Sequence, residues 1–193
     1  YGVYEDFEQD VQIKGRGNST WSYPKKPYRV KFAEKVKPFG LTKGKSWVLL
    51  ANYQTGSLLA NAIAMEIGHI AEAQYTNHII PVDLYINGEY KGNYMFTEHL
   101  GLSGNSVDED EDLAYMLELD SYYDEDFKFK SDKYNLPVNI KDPDLFDYSE
   151  EERDIKFETI KADFQKFEDA VYNNDQLGKY LDLDVAARFL LVN

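Results

Sequence analysis

Asn87-Gly88, set between the alternating runs 82–86 and 90–96, commits this chain to an antiparallel hairpin. Both central residues of a type I′ turn take positive φ, and Asn followed by Gly adopts that geometry at little cost. Other segments share the two-residue period. Val11-Gln12-Ile13-Lys14-Gly15-Arg16 reads as a half-exposed strand entering a glycine-punctuated turn at residues 15–17. Tyr28-Arg29-Val30-Lys31-Phe32 puts Arg29 and Lys31 on one face and Tyr28, Val30 and Phe32 on the other. Trp47-Val48-Leu49-Leu50 is a short buried run.

Helical periods enter between and after these strands. Leu59, Ile63, Ile67 and Ile70 define one helical stripe. Residues 113–119 read as another strand, and residues 124–148, with Pro137 and Pro143, as short strands and loops. Phe157, Ile160, Phe164, Phe167 and Val171 mark a long amphipathic helix, with Glu150, Glu151 and Glu152 near its positive N-terminal end. A last helix starts near Asp182 or Asp184. Residues 185–192 are almost wholly apolar with no stop signal before Asn193, so the sequence reads as one that continues. It also opens at Tyr1 with neither Met nor an apolar leader, as a trimmed sequence would. The pattern is α+β, a small sheet followed by a more helical half.

Charge and composition remove several classes of function. A chain of 193 residues with 43% hydrophobic content can bury a core. Its net charge of -14 opposes nucleic acid, whose phosphates need an excess of Lys and Arg. The basic residues from Lys14 to Lys45 crowd the N-terminal part, while acidic groups dominate from Asp108 onward. The longest near-apolar stretch, 57–71, carries Asn61 and Glu66 and does not read as a membrane span. Zero cysteines exclude disulfides and thiol chemistry and leave the compartment open. His69, His78 and His99 share no metal-ligand spacing, and the acidic run 108–112 lacks the Gly and Glu of a calcium loop, so no metal ligands are assigned.

Four segments follow one another in order: Lys14-Gly15-Arg16-Gly17-Asn18-Ser19-Thr20-Trp21, then Lys25-Lys26-Pro27-Tyr28-Arg29-Val30-Lys31-Phe32, then residues 85–94 with Glu98, and Leu117-Glu118-Leu119-Asp120. This succession resembles the CotH kinase family, secreted or coat-associated proteins with a reduced protein-kinase-like fold. The resemblance implies a nucleotide-covering sheet lobe over residues 1–100 with an αC-like helix, and the start of a helical lobe over 101–193. It implies ATP as ligand, with Mg2+ or Mn2+ in a longer parent, γ-phosphoryl transfer to Ser or Thr of secreted or surface proteins, and a bacterial origin.

On that resemblance Lys31 takes the place of the phosphate-binding strand lysine and Arg16 is a second phosphate contact. Glu66 becomes an ion-pair partner for Lys31, while Glu98, Glu118 and Asp120 fall near adenine and ribose. The family's metal-holding carboxylates are expected beyond Asn193, so the chain by itself is expected to be inactive. The family's Arg near the helix start is replaced here by Ala60, which leaves a pseudokinase open. The residues alone also allow solvated strand lysines, and the aromatic content allows a carbohydrate- or protein-binding module.

Overall fold

A computed structural model describes residues 6–110 and 112–192. Glu111, inside the acidic run, lies outside the described residues. The chain forms two compact units, one holding the described residues up to Asp108 with Leu191 and Val192, the other Glu109–Leu190.

The first unit runs β1 (Val11–Gly15), β2 (Tyr28–Val36), β3 (Gly44–Leu50), α1 (Ala60–Ile70), β4 (Ile80–Ile86) and β5 (Glu89–Glu98). Its sheet is antiparallel throughout, in the order β1-β2-β3-β5-β4. The hairpin turn has the left-handed backbone its dipeptide demands, with φ of 52° at Asn87 and 78° at Gly88. Ile13 pairs with Val30, Val30 with Trp47, Leu49 with Phe96, and Phe96 with Ile80. One face therefore gathers Val30, Trp47, Leu49, Ile80, Tyr94 and Phe96 into the core. Trp47 is fully buried, stacks on Phe96 at 5.0 Å, and donates its indole N–H to the Gly44 carbonyl at 3.2 Å.

The helix α1 lies where the stripe predicts it, but Leu59, Ile63, Ile67 and Ile70 are exposed. Its buried residue is Gly68, where an added Cβ would lie 2.8 Å from Thr76 Cγ2. The helix is held where a side chain is missing, so its apolar stripe does not mark the inner face.

The second unit has β6 (Met116–Leu119), β7 (Lys128–Lys130) and β8 (Pro137–Asp142) in the order β6-β8-β7, then α2 (Glu150–Asn173), α3 (Leu177–Tyr180) and α4 (Leu183–Val192). The strand expected over 113–119 begins only at Met116, because the N–H groups of Leu113 and Ala114 turn back to the Asp110 carbonyl. α2 starts before its apolar pattern because Ser149 and Glu152 close a capping box. Asp182, which accepts from the N–H groups of Asp184 and Val185, caps α4. Phe129, Val138, Ile140, Leu145, Ile160 and Phe164 form this unit's core. Among the described residues no helix is long and apolar enough to cross a membrane.

Glu168 ties α2 to the loop after β7. Its buried carboxylate accepts the N–H groups of Lys133 at 2.9 Å and Tyr134 at 3.0 Å. Burial alone would raise its pKa, but hydrogen bonds from Ser131 and from the backbone of Lys133, Tyr134 and Asp132 outweigh burial and hold it below 4.5. The stability it contributes is therefore present above the ordinary carboxylate range and is lost as pH falls through the lowered value. Urea unfolding of Glu168→Gln is expected to show a shallower loss of stability below about pH 4.5 than wild type; equal slopes would contradict this account. Trp47→Ala is expected to cost about 3–5 kcal/mol in the same measurement, since it empties the centre of the sheet core.

Candidate functional site

The turn after β1 is built by close packing. A Cβ at Gly15 would lie 2.3 Å from Trp21 Cη2, so glycine lets the indole fold over the strand end. Gly17, at φ +88°, reverses the chain into a short 3-10 turn at Ser19–Ser22. The Arg16 N–H then donates to the Pro27 carbonyl at 3.2 Å and carries the β1–β2 ladder one residue further. Period two puts Gln12, Lys14 and Arg16 on the face opposite the core, and Lys14 pairs directly with Arg29.

At this end of the sheet a cavity of about 430 Å3 is lined by Arg16, Thr20, Lys25, Asn52, Tyr53 and Asn61, among others. The Asn61 amide donates to Asn52 Oδ1 at 2.6 Å, and Asn52 donates to the Leu58 carbonyl at 3.1 Å, which fixes the start of α1 against the wall. Tyr23, also on the wall, stacks with Tyr53 at 5.4 Å and 24°.

The electrostatics of this face are one-sided. Among the described residues none of Lys14, Arg16, Lys25, Arg29 and Lys31 forms a salt bridge with a carboxylate, in a chain with 35 acidic side chains. Arg29 donates to Ser46 Oγ at 3.5 Å. Burial, and then the charge of Arg29, lower the pKa of Arg16. His99 donates its N–H to the Ser46 carbonyl at 3.2 Å. Its pKa is lowered to about 4 by burial first, then by Arg29 and Arg16. Burial is the main reason this histidine stays neutral, and the two arginines add to it.

The second unit has a cavity of about 510 Å3 lined by Tyr115, Phe164, Phe167, Tyr180, Asp163 and Lys179, among others. There the acid is already engaged, since Asp163 accepts from Lys166 at 2.8 Å. The cavity of the first unit has Arg16 and Lys25 and, among the described residues, no carboxylate in its lining.

The six residues singled out from the sequence part company. Arg16 lines the cavity. Lys31 shares its face but pairs with Gln12, about 13 Å along the ladder from Arg16, with Lys14 and Arg29 between. Glu66 is exposed on α1 and forms no ion pair with Lys31. Glu98, 5% exposed, sits opposite Trp47 and accepts from His78 Nδ1 and from the His78 N–H, both at 2.8 Å. Glu118 pairs with Lys141 at 3.4 Å, and Asp120 accepts the Tyr122 N–H at 3.1 Å to close a turn.

Sequence reasoning did not select Lys25, Arg29, His99, Asn52 or Asn61. The period-two pattern was the available signal for Arg29; Lys25, Asn52 and His99 arrive through turns and loops, which periodicity does not reach, and Asn61 through the first turn of α1.

A family model described as CotH kinase protein matches residues 13–193. No curated protein matches the chain.

The unpaired cations make a titration testable. Because the His99 pKa lies below the unfolded value of 6.5, the unfolded chain binds more protons between about pH 4 and 6.5, and stability falls as pH drops through that window. Arg29→Ala is expected to raise the His99 pKa, followed by imidazole proton NMR; an unchanged value would show that Arg29 does not bear on this ring.

Proposed function

The chain belongs to the CotH kinase family, and from that premise we propose that its first unit binds ATP in the cavity bordered by Arg16. The polyphosphate lies against Arg16, with Arg29 and Lys14 adding positive charge from the strand face beside the cavity without lining it, and the chemistry is transfer of the γ-phosphoryl group to Ser or Thr hydroxyls of secreted or surface proteins. The observation that carries the reading is a set of cations brought together without a carboxylate among them. Like charges at close range repel until an anion joins them, and charge-assisted hydrogen bonds to phosphate oxygens are among the strongest available.

Other features support the same reading. The cavity volume falls within the roughly 300–1,000 Å3 typical of small-molecule sites. The stacked Tyr23 and Tyr53 rings offer a flat wall to a purine, and Asn52 and Asn61 offer amide groups to its edge or to ribose. Three strands, a helix and two further strands in one antiparallel sheet agree with a nucleotide-covering lobe. Phosphoryl transfer asks a protein mainly for positioning and charge neutralisation, and fixed guanidiniums supply both.

Lys31 contributes to the field from further along the face, without lining the cavity. Glu98 serves the fold through His78, and no nucleotide role is assigned to Glu66, Glu118 or Asp120. ATP is used with Mg2+ or Mn2+. Among the described residues no group of three or more His, Cys, Asp or Glu side chains gathers to hold a metal ion. The residues of the first unit proposed to meet the phosphate charge are arginine and lysine side chains.

A non-hydrolysable ATP analogue with Mg2+ or Mn2+ is expected to raise Tm, by about 2.7 kcal/mol in stability at a hundredfold excess over Kd. In Arg16→Ala the rise should shrink or vanish. No shift in wild type, or an equal shift in the variant, would overturn the assignment.

A further inference from the structure

Lys25 and Lys26 are neighbours in the turn between β1 and β2, yet they point to different surroundings. The Lys26 ammonium donates to the Trp21 carbonyl at 2.6 Å and lies 5.3 Å from the Trp21 ring centroid. Its own carbonyl accepts the Tyr94 hydroxyl at 2.9 Å. Lys26 braces the turn.

Lys25 instead lines the cavity that Arg16 borders. Its ammonium donates to the Asn93 carbonyl and sits 4.5 Å from the centroid of the buried Tyr94 ring. Gly92, at φ +102°, lies beneath it, and an added Cβ there would be 3.4 Å from Lys25 Cε. An ammonium carries three donors, and the carbonyl occupies one. Burial lowers the Lys25 pKa, as for a cation partly withdrawn from water with no carboxylate to offset the loss.

We infer that Lys25 is the specificity-determining cation of this cavity, reading the length of a polyphosphate chain that Arg16 also holds. The inference rests on the ATP reading above. Two cations that line one cavity, Arg16 and Lys25, favour a ligand with several charged groups over one with a single phosphate, because a longer chain can meet both. The Tyr94 face and the Asn93 carbonyl keep the ammonium in place before any ligand arrives.

The test is the Kd of wild type, Lys25→Met and Lys26→Met for ATP, ADP, AMP and inorganic tripolyphosphate, with Tm recorded for each protein. Lys25→Met is expected to weaken ATP and tripolyphosphate by about tenfold or more, to leave AMP little changed, and to keep Tm near wild type. Lys26→Met is expected to lower Tm while preserving the ratio of ATP to AMP affinity. If wild type binds ATP and Lys25→Met keeps the full ratio, this inference fails and the ATP reading stands. If wild type binds tripolyphosphate through Lys25 but not ATP, the nucleotide reading fails and the role of Lys25 as a polyphosphate cation stands. Absence of binding to both ligands in wild type overturns both.

Discussion

The pairing of Val30 with Trp47 sets the first unit. Side chains alternate across a strand, so committing these two to the core sends Arg29 and Lys31 to the other face. β1 extends the same sorting, since Ile13 lies beside Val30 and Lys14 beside Arg29. A slip of one residue would bury the cations and expose the core residues. Hydrophobic burial thus does the positioning for the electrostatics, and the cationic face is as firmly specified as the core behind it.

The cations then divide by what holds them. Arg16 is carried to the cavity by the last rung of the β1–β2 ladder and by the Trp21 ring packed over Gly15. Lys25 is carried there by a carbonyl and an aromatic face on β5. Neither depends on a carboxylate, although the chain has many. Burial withdraws Arg16 partly from water, where charge interactions are stronger. His99, just after β5, is kept neutral chiefly by its burial, with Arg29 and Arg16 adding to the effect.

Acidic residues have other duties. Glu98 and Glu168 are both buried, and each satisfies backbone N–H groups of a loop that would otherwise be orphaned, those of His78 in one case and of Lys133 and Tyr134 in the other. Glu118 and Asp120 occupy an ion pair and a turn. A carboxylate in a family-like segment is therefore a weak pointer to ligand binding until its hydrogen bonds are known.

The strands, the Asn87-Gly88 hairpin and the long helix were legible in the sequence, because period two, period 3.6 and turn chemistry are local properties. The family was legible too, through ordered segments that the match over residues 13–193 bears out. The inner face of α1 was not, because a missing side chain at Gly68 decides it and no hydrophobic stripe can record an absence. Nor was the company of Arg16. Sequence alone put Arg16 and Lys31 on alternating strands; the register between those strands determined that Arg29 and Lys14 stand nearer, and the path of the turn determined that Lys25 joins Arg16 at the cavity. Periodicity fixes which face a side chain takes, whereas distance along that face depends on which residues pair, and only the folded chain makes that choice.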